Sequence, residues 1–369
     1  MKAIKVNDEY LPFRDCFDFD KIFTFSHLWK SYKNCRKGVN WKASTHKFTA
    51  NALLLIFRIY IALHNGTFRS YGFYEFDIFE RGKKRHIRSV KIEERVVQRC
   101  LCDYCLTPAL SRHFIYDNGA CLKGKGFDFS FNRLKCHLQK HYRKHGRNGY
   151  ILLFDFSKFF DNISHEEIKS ILSKEFRDKR ITNLIFHFID MFGDKGIGLG
   201  SQISQIIALT AANKLDHYIK EQLHIKFYGR YMDDGYLISE SKEELEYCLE
   251  KIKEKCDELH LTLNVKKTRI VKLSHGFTFL KAKHSITDDG RIVRKIARES
   301  VTRMRRKLTK LEKRLNFGLI EFEDIENAFT SWEGHAKRFN SYKTRETMQS
   351  KIDDIRSKYY DKVFQSQTR

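Results

Sequence analysis

Asp233 and Asp234 stand together in Tyr231-Met232-Asp233-Asp234, between the apolar runs Phe227-Tyr228 and Tyr236-Leu237-Ile238, and a third carboxylate, Asp155, ends the apolar run 150–156. Acidic side chains delivered by strand-like segments suit a pair of divalent cations about 3.5–4 Å apart, one activating an attacking oxygen and one neutralising a leaving pyrophosphate. That is the chemistry of nucleotidyl transfer. Asp155 and Asp233 suit the bridging roles. Neighbours in a strand point to opposite sides, so Asp234 is expected to be a weaker or transient ligand. Hard oxygen ligands favour two Mg2+ ions, with Mn2+ as the alternative. A plainer reading competes: Asp234-Gly235 between hydrophobic runs is also a strong signal for an ordinary tight hairpin turn, and taken alone the motif fits a turn better than a site.

The surrounding pattern is that of a sheet with helices. After the apolar strand, Ser164-His165-Glu166-Glu167 reads as a capping box opening a helix that carries Ile168, Ile171 and Leu172. A second helix follows the Gly-rich loop at 193–200, and the aspartate hairpin comes next. Leu245, Leu249, Ile252, Cys256 and Leu259 then recur at spacings of four and three, an apolar stripe able to pack on a sheet. Residues 150–285 are therefore expected to be α+β. Residues 20–149 read as helices interrupted by a basic hairpin around 81–85, with a helix beginning near Glu93. From 291 the chain is helical and basic, with eleven Lys and Arg against two Glu between 291 and 314. A solvated helix normally mixes the two signs at i,i+4, so this excess of one sign points to a phosphate-tracking surface.

Lys plus Arg minus Asp plus Glu is 70 − 46 = +24, which points to a polyanionic partner, nucleic acid before any other. The best apolar stretch, 52–63, contains Arg58 and is too short to span a bilayer, so no membrane partner is expected. The N-terminus lacks a secretory pattern, which predicts a cytoplasmic protein with reduced thiols. Among nine cysteines the only tight cluster, Cys100, Cys102 and Cys105, falls in an expected helix with no second pair at zinc spacing, and reads as small buried side chains. Only Pro12 and Pro108 occur, and no low-complexity linker separates domains.

FDFSKFFDNISH at 154–165, GLGSQISQ at 198–205, YMDD at 231–234, LNVKKT at 263–268 and FTFLK at 277–281 resemble, in order, the motifs of reverse transcriptases. RGKKRHIR at 81–88, RVVQ at 95–98 and FIYDNGACLKGKG at 114–126 are similar to the fingers of the bacterial enzymes, and SWEGHAKRFNSYKTR at 331–345 to their thumb. The resemblance implies an α+β right-hand polymerase with fingers and an N-terminal extension at 1–149, a catalytic palm at 150–290 and a basic helical thumb at 291–369. It implies RNA-directed DNA synthesis from dNTPs on an RNA template with a DNA primer. Asp155, Asp233 and Asp234 correspond to the metal triad, with Phe156 joining the metal and nucleotide sites. Lys267, or Lys266 beside it, sits where the family places a lysine near the leaving pyrophosphate. Lys83 or Lys84 with Arg85 matches the triphosphate clamp. Phe160 matches the bulky residue that excludes a 2′-hydroxyl, while Phe159 is read as core. Leu199, Gly200 and Gln205 line the nucleotide; Tyr231, Met232, Phe279 and Leu280, with Arg303, Arg305 and Arg306, fall to primer and template.

Leu199 stands where retroviral enzymes carry glutamine, and the Ser204-Gln205 ending resembles reverse transcriptases of diversity-generating retroelements. The same block is similar to solitary bacterial enzymes of anti-phage defence. Either implies a dedicated structured RNA, with an accessory protein or a second copy as further partner. Two alternatives stay open: an untemplated or protein-primed DNA polymerase on the same fold, and a catalytically silent nucleic-acid-binding protein.

Overall fold

The computed structural model describes residues 3–80 and 82–367. It has two compact units that interleave along the chain: residues up to 130, 154–237 and 246–268 form one, and 131–153, 238–245 and the chain from 269 onward form the other. These differ from the three consecutive segments expected. The 290/291 boundary cuts a hairpin, since strand Ile292–Ile296 pairs antiparallel with Ala282–Ile286 from Ala282↔Ile296 to Ile286↔Ile292. Sheets recruit strands from distant parts of a sequence, so a unit built on one need not be contiguous.

The strand that ends in Asp155, Tyr150–Asp155, lies inside a four-stranded sheet of order Phe227–Tyr231, Asp234–Ser239, Tyr150–Asp155, Arg269–Lys272. Its run of five buried residues after Tyr150 is what an enclosed strand requires, and it is why the sequence shows a continuous apolar stretch rather than alternation. Arg269–Lys272 pairs with it antiparallel, Tyr150 opposite Lys272.

In the first unit Ser164 caps the helix His165–Glu175 by accepting the Glu167 N–H, but the reciprocal half of the expected box is missing. The Glu167 carboxylate instead takes the Lys214 ammonium at 3.0 Å. Asp178 caps a further helix, Lys179–Asp190, that the sequence reading did not anticipate. In helix Lys242–Glu258 and just past it, the buried stripe is Leu245, Cys248, Ile252, Cys256 and Leu259. Leu249 is only half-buried, because Cys248, three residues after Leu245, occupies the inward position. Cys100, Cys102 and Cys105 are fully enclosed, and burial pushes their thiols well up, as inert core cysteines require. The expected basic hairpin pairs Tyr74–Glu80 with Lys83–Ser89.

From residue 269 onward the second unit holds the sheet Ile292–Ile296, Ala282–Ile286, Phe277–Phe279 and the helices Arg298–Asn316, Phe322–Ala336 and Tyr342–Gln367. Met304, Leu308 and Leu315 pack with Phe322, Ile325, Phe329, Met348, Ile352 and Ile355 into one apolar core. A reciprocal capping box between Glu321 and Asp324 starts the middle helix. Arg303, Arg305, Arg306 and Lys307 lie exposed on the first. Among the described residues no single helix is long and apolar enough to cross a membrane; Ala43–Ala50 and Ala52–His64 pass that test only as a pair bent by 82°.

Leu308 has no exposed surface, so Leu308→Ala opens a cavity in the bundle. It should cost about 2–5 kcal/mol, read as a lower midpoint of urea unfolding.

Candidate active site

Asp155 arrives buried at the end of its strand, and the loop 262–268 closes over it. The Asn264 N–H donates to the Asp155 carbonyl at 2.7 Å, Asn264 Nδ2 to Oδ1 at 3.3 Å and Lys267 Nζ to Oδ2 at 2.6 Å. The other two carboxylates come from a hairpin whose two-residue turn is Met232-Asp233. Met232 adopts φ +53°, a left-handed conformation for a non-glycine residue and thus local strain. The turn is held from both sides: the Phe156 N–H donates to the Asp233 carbonyl at 3.2 Å, and Arg230 Nη1 to the Met232 carbonyl at 2.7 Å.

Arg230 is enclosed, which only a matched partner makes tolerable. Its Nε and Nη2 grip Asp216 Oδ1 and Oδ2 at 2.7 and 2.6 Å, and the Tyr228 hydroxyl donates to Oδ1 at 2.6 Å. Burial opposes the guanidinium's charge and Asp216 more than restores it. Residues 114–126 cover the outer edge of strand Phe227–Tyr231 through a parallel bridge, Asn118↔Arg230, with the Gly119 N–H donating to the Arg230 carbonyl at 2.9 Å.

Burial and then the charge of Asp155 push the Asp233 carboxyl above the usual range; burial, then Asp233 and Asp155, push Asp234 up to about 7. Partial burial works against the Lys267 ammonium, but the hydrogen bond and charge of Asp155 hold its pKa up. Three carboxylates thus face one ammonium. The charge of Asp155 is also felt at Asp234, so Asp234 joins the cluster instead of pointing away. Strand alternation does not separate Asp233 from Asp234 because Asp233 belongs to the turn. Gly235 is likewise no turn residue. It lies inside strand Asp234–Ser239, and a Cβ there would come within 2.2 Å of the Phe154 ring.

The family model for reverse transcriptase (RNA-dependent DNA polymerase) matches residues 79–284, more than half of the chain. The chain belongs to the reverse transcriptase family. Its mixture of helices and sheets is the right-hand polymerase fold expected. No curated protein matches it. Among solved structures it is similar to the apo telomerase of Candida tropicalis truncated from its C-terminal domain, at 14% identity and TM-score 0.46 over 60% of this chain. It is also similar to the telomerase of Candida albicans in complex with a TWJ fragment of telomeric RNA, at 13% identity and TM-score 0.48 over 78% of this chain. The chain spans 55% and 60% of the length of those two proteins.

The other candidate residues sort by unit. In the first, Phe156 is core, stacked on buried Phe159 at 5.1 Å, which turns its side chain away from any ligand. Phe160 is half-exposed at the start of the turn Phe160–Asn162, and its carbonyl accepts the Ile197 N–H at 2.8 Å, fastening the Gly-rich loop. Gly196 needs its left-handed φ of +77°, and a Cβ there would lie 2.7 Å from the Asp161 carbonyl oxygen. Gly200 also has positive φ, Leu199 is half-buried and Gln205 exposed. Tyr231 stacks on Phe127 at 4.8 Å. Arg85 is exposed on the hairpin, and Lys84 is paired with Asp77 at 2.9 Å. Arg81 and the side chain of Lys83 lie outside the described residues.

The second unit carries Phe279, buried, and Leu280, which with Lys281 forms a turn of two left-handed residues, φ +48° and +61°. Arg303, Arg305 and Arg306 are on its first long helix. Sequence reasoning missed Arg230, Asp216 and Tyr228, and also Asn264. The one available signal was an arginine within the strand FYGRY, which demands a buried partner without saying which.

Gly235→Ala should distort the hairpin and lower activity at least about tenfold, with a loss of stability of about 1–3 kcal/mol from overpacking. Adding Phe154→Val makes room for the methyl group, and partial recovery of the unfolding midpoint in the double variant checks the steric cause.

Proposed function

We propose that this reverse transcriptase copies RNA into DNA by two-metal nucleotidyl transfer. The observation that carries the reading is the convergence of Asp155, Asp233 and Asp234 with Lys267. Among the described residues no three His, Cys, Asp or Glu side chains form a ready cation cage. A polymerase site does not call for one, since Mg2+ usually binds through one or two carboxylates plus substrate phosphates and water. The crowding that lifts Asp233 and Asp234 fits a cluster completed by divalent charge. Asp155, Asp233 and Asp234 would hold two Mg2+ ions, which supply activation of the primer hydroxyl and neutralisation of the pyrophosphate.

The chain's own residues do the rest. Lys267, half-exposed and hydrogen-bonded to Asp155, can turn to the departing phosphates as charge partner or proton donor. Phe160 offers an aromatic edge beside the Gly-rich loop, where a 2′-hydroxyl would clash. Arg85 provides a planar clamp for phosphate, and Arg303, Arg305 and Arg306 a surface for the product backbone. A silent binding protein would have no need to keep three repelling carboxylates desolvated together.

The subtype we propose is a bacterial enzyme of anti-phage defence or of a diversity-generating retroelement, supported by Leu199 and by Ser204-Gln205. A dedicated structured RNA fits the +24 charge. Nine cysteines outside any disulfide fit a reducing cytoplasm.

Primer extension on a defined RNA template with dNTPs and Mg2+ tests the reading. Template-complementary DNA should come from the wild type and be lost, by at least about a thousandfold, in Asp233→Ala/Asp234→Ala, whose circular dichroism should match wild type because removing crowded like charges spares the core. Product unrelated to the template would point to untemplated synthesis. Phe160→Ala should admit ribonucleotides, and unchanged exclusion in a competition assay would remove Phe160 from the sugar gate.

A further inference from the structure

The helix Ala52–His64 reads ALLLIFRIYIALH, apolar on almost every side. A helix of that kind is ordinarily enclosed all round. Here one side is buried, through Ala52, Ile56, Ile59 and Leu63, while Leu53, Leu54, Phe57 and Ile61 remain 64, 51, 51 and 41% exposed. Single exposed apolar side chains are commonplace, but Leu53, Phe57 and Ile61 fall four residues apart and make one continuous ridge, with Leu54 and Arg58 in the row beside it.

The charge of the sequence carrying the ridge is one-sided, although Asp20 comes within 3.5 Å of His64 at the end of the helix. Residues 21–74 contain nine Lys and Arg and no Asp or Glu. Among the described residues only Lys30 of those nine has a carboxylate partner, Glu9. Elsewhere cations are often matched, as Lys214 is by Glu167 or Arg180 by Asp20 and Asp178. On the helix itself the ridge has Arg58 beside it, exposed and with no carboxylate partner among the described residues, within a stretch of sequence whose charge is all positive.

We propose that this ridge docks an acidic amphipathic helix of a partner protein. A ridge of four-residue spacing fits the groove between side-chain rows of another helix, and Arg58 in the neighbouring row is placed to take a carboxylate from it. A second copy of the chain would meet Arg58 with a helix that has an arginine of its own and no Asp or Glu, which costs association. Nucleic acid would answer the charge but gains little from Leu53, Leu54 and Ile61, since bases stack on aromatic faces and the one exposed ring on the helix, Phe57, already stacks on Tyr60 at 6.4 Å. An anionic membrane surface answers both features in part, but it favours an apolar face with its cations on the opposite, polar side, not an arginine in the row beside the ridge.

The test uses the full chain and two synthetic amphipathic helical peptides that share a leucine stripe, one with glutamate and one with lysine at the remaining positions, followed by fluorescence anisotropy. The glutamate peptide should bind, weaken with added salt, and lose at least about tenfold in affinity to Leu53→Ser/Phe57→Ser. Arg58→Glu should shift preference towards the lysine peptide; its side chain is exposed, so it carries the test even where the serine pair unfolds the chain. Primer extension should be unchanged in all variants, which separates failure here from failure of the polymerase reading. Equal binding of both peptides, binding of neither, or no loss in the variants would overturn the proposal. A wild-type dimer abolished by Leu53→Ser/Phe57→Ser would assign the ridge to a second copy. Sedimentation with anionic phosphatidylglycerol vesicles lost in the same variant would assign it to a membrane, and retention of single-stranded RNA lost in it would assign it to nucleic acid.

Discussion

Three carboxylates gathered in a partly desolvated site repel one another, and the surrounding backbone has to hold them together against that repulsion. The lifted pKa values of Asp233 and Asp234 are the local record of the conflict. Lys267 offsets part of it through its contact with Asp155. The remainder is met by rigidity: Asp155 hangs from a buried strand and from Asn264, and the Met232-Asp233 turn is tied to Phe156 and Arg230.

The turn depends on an ion pair that has no surface exposure on either side, Arg230 with Asp216. Buried pairs contribute little net stability, but removing one partner strands a charge in the interior. The geometry suggests what this pair is for. Arg230 spends two of its nitrogens on Asp216 and a third on the Met232 carbonyl, so the energy that fixes the arginine also fixes a strained residue beside the carboxylates. The same logic explains Gly235 and Gly196, where backbone passes too close to Phe154 and Asp161 for any side chain.

Positive charge is distributed by purpose across the chain. On the helix Arg298–Asn316 it sits opposite an apolar core and faces solvent, as a surface that follows phosphates would. On the helix Ala52–His64 Arg58 stands beside exposed leucine, isoleucine and phenylalanine, which phosphates do not require. Two cationic regions with different apolar content are suited to different partners.

Much was legible in the sequence. The apolar run 150–156, the capping serine, the basic hairpin and the three aspartates follow from periodicity, local hydrogen bonding and chemistry of neighbours, so single residues and short spacings were enough. The motifs' order fixed the family because each block answers to a separate chemical demand. Tertiary structure alone decided the rest. Asp234 joins the cluster because the chain turns at Asp233; Gly235 is glycine because Phe154, far earlier in the chain, lies under it; Arg230 is tolerable because Asp216 waits on another element; and Cys248 rather than Leu249 faces inward. Each is a contact between segments far apart in sequence or a choice of face between near neighbours, and local propensity carries no information about which distant group will arrive.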